Sequence, residues 1–236
     1  MKTASKWLTV LVVFAVVFGA AAPQASAKKL SAAAIFFEIN ATDGDAGIQI
    51  FLDGDGWDRM KVFNPDGKKI LDVKGKGGIG QQGITELFFE SAEPSFEEQS
   101  LEELLALFPE GQYKFKGTQT NGKSLTGKAR LTHDLPMAPN LIRPADGDDS
   151  VNPNNTVVEW QLVADPPGSE IIGYHVVVET EDPRLLIFAA DVGPDTTSIE
   201  VPSEFMNGGG PEYKYEVLAI ERSGNQTISE AEFETD

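Results

Sequence analysis

Along most of this chain, apolar and polar residues alternate at every second position, the period of a strand with one buried face. Ile35, Phe37 and Ile39 alternate with Phe36 and Glu38; Ile48, Ile50 and Leu52 alternate with Gln49 and Phe51. Residues 60–63 and 69–73 flank Asn64-Pro65-Asp66-Gly67, a hairpin signal. A further strand is expected at 84–90. Tyr113 and Phe115 alternate with Lys114 and Lys116, and Leu125, Ala129 and Leu131 share a face opposite Lys128 and Arg130. Beyond residue 139 seven more strands are expected, at 140–143, 156–163, 171–180, 185–190, 198–201, 212–221 and 227–233. Turn clusters rich in Gly, Pro, Asp and Asn separate them. One stretch has the helical period instead: Leu101, Leu104, Leu105 and Phe108 form a stripe that Pro109 ends. Ser95 with Glu98 reads as its capping box. The stripe is expected to cover one end of a β-sandwich.

The prolines of Asp134-Leu135-Pro136-Met137-Ala138-Pro139 break pairing and mark a seam. The expected division is a leader at 1–27, a β-rich domain at 28–135, a linker at 136–138 and a second domain at 139–236. The second domain carries Trp160 at the end of a β-branched run. It also has Tyr174-His175-Val176-Val177-Val178 and the late strand Tyr213-Lys214-Tyr215-Glu216-Val217-Leu218-Ala219-Ile220. In order and spacing these elements resemble a fibronectin type III domain. The resemblance implies a seven-strand sandwich with Trp160 between the sheets and Tyr213 tying a crossing loop through its hydroxyl. It implies recognition rather than inherent chemistry. The Arg-Gly-Asp tripeptide of adhesive members is missing, since the final hairpin reads Arg222-Ser223-Gly224-Asn225. The hairpin at Pro65-Asp66-Gly67 and the segment Pro109-Glu110-Gly111-Gln112-Tyr113 loosely resemble bacterial immunoglobulin-like modules. The fold class is therefore all-β: two β-sandwich domains, the first with one short helix.

Lys2 and Lys6, an apolar run at 7–22 and Ala25-Ser26-Ala27 form a secretory signal, with cleavage expected after Ala27. This predicts a bacterial protein that is secreted or periplasmic and has no membrane span once cleaved. The formal net charge is −18, and removing the leader takes away two more lysines. Such a surface repels phosphate backbones, so nucleic acid is excluded as an expected partner. The chain has no Cys, which removes disulfides, cysteine catalysis and thiolate metal sites.

Candidate chemistry concentrates in Asp53-Gly54-Asp55-Gly56-Trp57-Asp58, read as a loop. Alternating Asp and Gly suit calcium, so Asp53, Asp55 and Asp58 are the candidate ligands. The register does not match an EF-hand, and Asp-Gly is also a common turn dipeptide. Trp57 in that loop is a candidate stacking platform for a sugar or peptide; folding back into the core is the commoner fate of large aromatics. Gly75 to Gln82 lacks the Lys and hydroxyl of a phosphate loop, so nucleotide binding is excluded and a hairpin loop is expected. His133 and His175 lie in different domains and cannot form a multi-His zinc site. With no nucleophile elbow either, no enzyme is expected. The expected function is a secreted, non-enzymatic binding or structural protein engaging an extracellular protein. The alternative is a carbohydrate-binding accessory module with a calcium-stabilised acidic loop, whose partner would be a polysaccharide.

Overall fold

A computed structural model describes residues 27–181 and 183–236. The expected leader lies almost wholly outside the described residues. No helix among them is long and apolar enough to cross a membrane.

In the N-terminal half, β1 (Lys28–Lys29) leads into β2 (Ala32–Asn40), and β3 (Asp45–Phe63) is a single 19-residue strand. It is followed by β4 (Lys69–Lys74), α1 (Gly77–Gln82), β5 (Ile84–Glu90), α2 (Leu101–Leu107), β6 (Gly111–Gln119) and β7 (Ser124–Leu131). The first part of β3 pairs with β2 and β5, and the second part with β4 and β6. One strand thus belongs to two layers, β5-β3-β2 and β4-β3-β6-β7-β1, with the turn between them at residues 53–58. The core between the layers holds Phe37, Leu52, Trp57, Val62, Tyr113, Phe115 and Leu125, all with 0 % exposure.

Two expectations are corrected here. Residues 53–58 are not a loop but the corner of β3, because both flanks carry inward apolar residues and Gly54 lets Leu30 come close. A Cβ on Gly54 would lie 2.8 Å from the Leu30 Cδ2. Residues 77–82 form a short helix rather than a hairpin loop. The helix α2 carries the expected stripe against the core, with Leu104 buried. Its cap, however, is Ser100, whose hydroxyl accepts from the Glu103 N–H while Glu103 accepts from the Ser100 N–H. Ser95 instead closes the turn before it through its carbonyl. Both serines are followed three residues later by Glu, and only Ser100 directly precedes the apolar stripe.

The C-terminal half contains β8 (Leu141–Arg143), β9 (Asp148–Val151), β10 (Val157–Trp160), β11 (Ile171–Thr180), β12 (Leu186–Val192) and β13 (Ser198–Glu200). A short α3 (Ser203–Met206), β14 (Glu212–Glu221) and β15 (Gln226–Thr235) complete it. A three-stranded sheet, β13-β10-β8, packs on β15-β14-β11-β12. Trp160 lies between them at 1 % exposure, its ring 5.3 Å from that of Tyr174. The Tyr213 hydroxyl donates to the Met206 carbonyl at 2.5 Å. This is the β-sandwich that the fibronectin type III resemblance implies. The strand β9, pairing in parallel with β15, was not expected. Its sequence, Asp148-Asp149-Ser150-Val151, carries no apolar alternation to announce it.

The halves are joined by more than a linker. In β2, Glu38 to Asn40 pair in parallel with Gln226 to Ile228 of β15, so one sheet runs through both. Asn225, wholly buried, locks the junction. Its side-chain amide donates to the carbonyls of Thr132 (3.0 Å) and Asp134 (2.9 Å), and its oxygen accepts from the Phe37 N–H (2.9 Å). The Thr227 hydroxyl donates to the Pro136 carbonyl at 2.8 Å.

Candidate interaction surface

The corner of β3 decides the fate of the expected ligands. Its inward turn drives the Trp57 ring into the core, where it is 0 % exposed. Trp57 is therefore a packing residue and presents no face to a sugar or peptide. Asp55 stays exposed but is engaged: Lys28 Nζ lies 2.5 Å from one carboxylate oxygen, and the Gln119 amide donates to the same oxygen at 3.2 Å. Lys28, then Gln119, hold its carboxyl below the usual range. Asp53 and Asp58 are half-buried. Among the described residues, the only three acidic side chains with oxygens all within 4.8 Å of one another are Glu38, Glu90 and Glu93. The expected set of Asp53, Asp55 and Asp58 does not converge, because a strand corner splays successive side chains where a loop would wrap them.

The cluster that does converge lies near the junction. Burial, then the charges of Glu38, Glu90 and Asp45, push the Glu93 carboxyl up to about 7. Burial also raises Glu38, opposed by hydrogen bonds from Gln226 and Gln49. Gly47 makes room for Glu93, since a Cβ there would lie 2.7 Å from its Oε1.

The most distinctive surface is elsewhere. Strands β4, β3, β6, β7 and β1 expose one outer face. Tyr113 and Phe115 of β6 point inward, so Lys114 and Lys116 point out. Opposite them, register places Lys128 beside Lys114, Phe63 beside Lys114, and Lys61 beside Lys116. Arg130 follows on β7, Lys74 sits on β4 opposite Arg59, and Lys29 sits on β1 opposite Thr126. Asp72, the acid on this face, is held by Arg59 (2.8 Å) and Lys69 (2.6 Å), which keep its carboxyl well below the usual range. Lys29, Lys61, Lys74, Lys114, Lys116, Lys128 and Arg130 have no ion-pair partner among the described residues. Lys116 instead lies over the Phe63 ring, 5.2 Å from its centroid. Four of these lysines, 29, 114, 116 and 128, rim a groove of about 550 Å³.

In the sequence the lysines of β6 and β7 read only as the outward half of an alternation. The available signal was charge asymmetry. Residues 28–135 hold 13 basic and 17 acidic residues, whereas residues 139–236 hold 4 basic and 20 acidic. On the outer strip of His175, Val177, Leu218 and Ile220, Leu218 is buried and His175 Nδ1 lies 2.7 Å from Asp191. His133 contacts the Phe108 carbonyl at 3.0 Å, a structural bond at the seam.

No protein-family model matches the chain, and no curated protein matches it. Among solved structures it is similar to a tetra-tandem repeat in the extending region of a large adhesion protein. That likeness has 12 % identity and a TM-score of 0.31, and covers 87 % of this chain and 50 % of that one. It is also similar to the FN1-FN3 domains of chicken CNTN1, with 13 % identity, TM-score 0.35, and 89 % and 64 % covered. A two-domain fibronectin type III segment from chicken tenascin gives 12 % identity and TM-score 0.31, with 87 % and 99 % covered. The chain thus spans half the length of the first and under two thirds of the second. The strand order and the two hydrophobic cores define the fold.

Proposed function

We propose that this protein is an exported, non-enzymatic binding or structural protein, and that it engages acidic protein partners through the lysine face of its N-terminal half. The observation that carries the reading is the gathering of seven unpaired cations on one sheet face of a chain whose net charge is −18. Like charges side by side across strands are destabilising. Lys114 faces Lys128 directly. An arrangement that costs stability in the free molecule is accounted for if an acidic surface covers it. The shared sheet and the buried Asn225 hold this face at a fixed angle to the second half, which suits a protein that connects partners. Export rests on the leader read from residues 1–27.

The test is chromatographic. A protein with a pI of about 4.4 flows through a cation exchanger at neutral pH unless one face is locally positive. The mature protein should be retained at low salt, and the variant Lys114→Glu/Lys128→Glu should flow through while keeping its melting temperature. Flow-through of the wild type would overturn the reading.

A further inference from the structure

The partner's chemistry is present on the same chain. The outer face of β15-β14-β11 carries Glu212 opposite Glu234, Glu230 opposite Glu216, and Glu232 beside Lys214. Lys214 is already shared among Glu179, Glu216 and Glu230. Glu212, Glu232 and Glu234 are exposed and have no ion pair among the described residues. They join Asp148 and Glu181 around a groove of about 560 Å³.

Resting on the reading that the lysine face is a binding surface, we propose that it docks on the acidic sheet face of a second copy of this chain, head to tail. Apart from β1, which pairs in parallel with β7, both faces are antiparallel sheets. Their charges therefore recur at the same intervals, about 5 Å across strands and about 7 Å along them. A row of lysines can then meet a row of glutamates in register. The two faces do not satisfy each other within one molecule. No ion pair among the described residues links the lysine face to the C-terminal half. At physiological ionic strength charges are screened beyond about 8 Å, so the overall acidity of two copies opposes docking less than the facing charges favour it. Because the two surfaces differ, the contact is heterologous and leaves a free face at each end. It builds open chains unless a ring closes.

Sedimentation velocity on the mature protein tests this at low (about 150 mM) and high (about 500 mM) salt. The wild type should at least double its apparent mass with rising concentration at low salt and return to monomer at high salt. Lys114→Gln/Lys128→Gln and Glu212→Gln/Glu234→Gln should each be monomeric alone, the neutral side chains leaving the two altered faces no charge at these positions with which to attract each other. Mixed in equal amounts they should form a dimer and nothing larger, since one retains the acidic face and the other the basic face. That dimer also shows that both variants are folded. A wild type that stays monomeric at low salt, a variant that still associates alone, or a mixture that does not pair would each overturn the proposal. A monomeric wild type that is nevertheless retained on the cation exchanger leaves the lysine face as a binding surface for another acidic partner. A wild type that also flows through removes both readings.

Discussion

Trp57 shows how one residue changes meaning with context. Flanked by Gly56 and Asp58, it reads in one dimension as a loop aromatic. In the fold it fills the space between two layers at the point where β3 turns from one to the other. Its indole nitrogen has no hydrogen-bond partner among the described residues, so packing alone holds the ring. Trp57→Ala should cost about 3–5 kcal/mol in chemical denaturation, the range for emptying a large buried aromatic site. A loss below about 1 kcal/mol would instead mark a surface ring. Trp160 and Tyr213 were legible from sequence because their neighbours form an ordered motif. Trp57 was not, because a glycine-rich corner and a glycine-rich loop share one composition.

Elements create groupings that no single stretch contains. Glu38 belongs to β2, Glu90 ends β5, and Glu93 lies just beyond it. Asp45 opens β3 and adds its charge. Glu93 sits at about 7 in the fold against 4.5 as a free side chain, chiefly through burial. The folded state therefore holds its proton more tightly than the unfolded chain does. That contribution is complete below about pH 4.5 and is lost as pH rises through about 7. Glu93→Gln should raise the melting temperature near pH 8 and leave it unchanged near pH 4.5. Equal melting of variant and wild type at both would show that the carboxylates are solvated apart.

At the scale of the molecule, the two halves are a single object. The turn Ser223-Gly224-Asn225 reads in sequence as an ordinary hairpin tip. In the structure Asn225 bonds across 188 residues to Phe37 and across more than 90 to Thr132 and Asp134. Asn225→Ala leaves those buried groups unpaired, at a cost of about 2–4 kcal/mol. It should split one cooperative melting transition into two in calorimetry as the halves uncouple. A single transition at the wild-type temperature would show that the shared strand pairing alone carries the coupling. Among the described residues no ion pair joins the lysine face to the acidic face within one copy, so association between copies is the outcome expected in sedimentation.

The sequence by itself determined which face of most strands turns inward, where most strands of the second half run, and the stripe on α2, while the roles of Trp160 and Tyr213 came from the fibronectin type III resemblance. Alternation and turn chemistry act over a few residues, so a local pattern suffices to specify them. Tertiary structure alone decided that β3 serves two layers, that Asp55 is bound by Lys28, and that lysines from five strands share one face. Those outcomes depend on which strand lies beside which, and strand neighbours are set by contacts between residues tens to hundreds of positions apart.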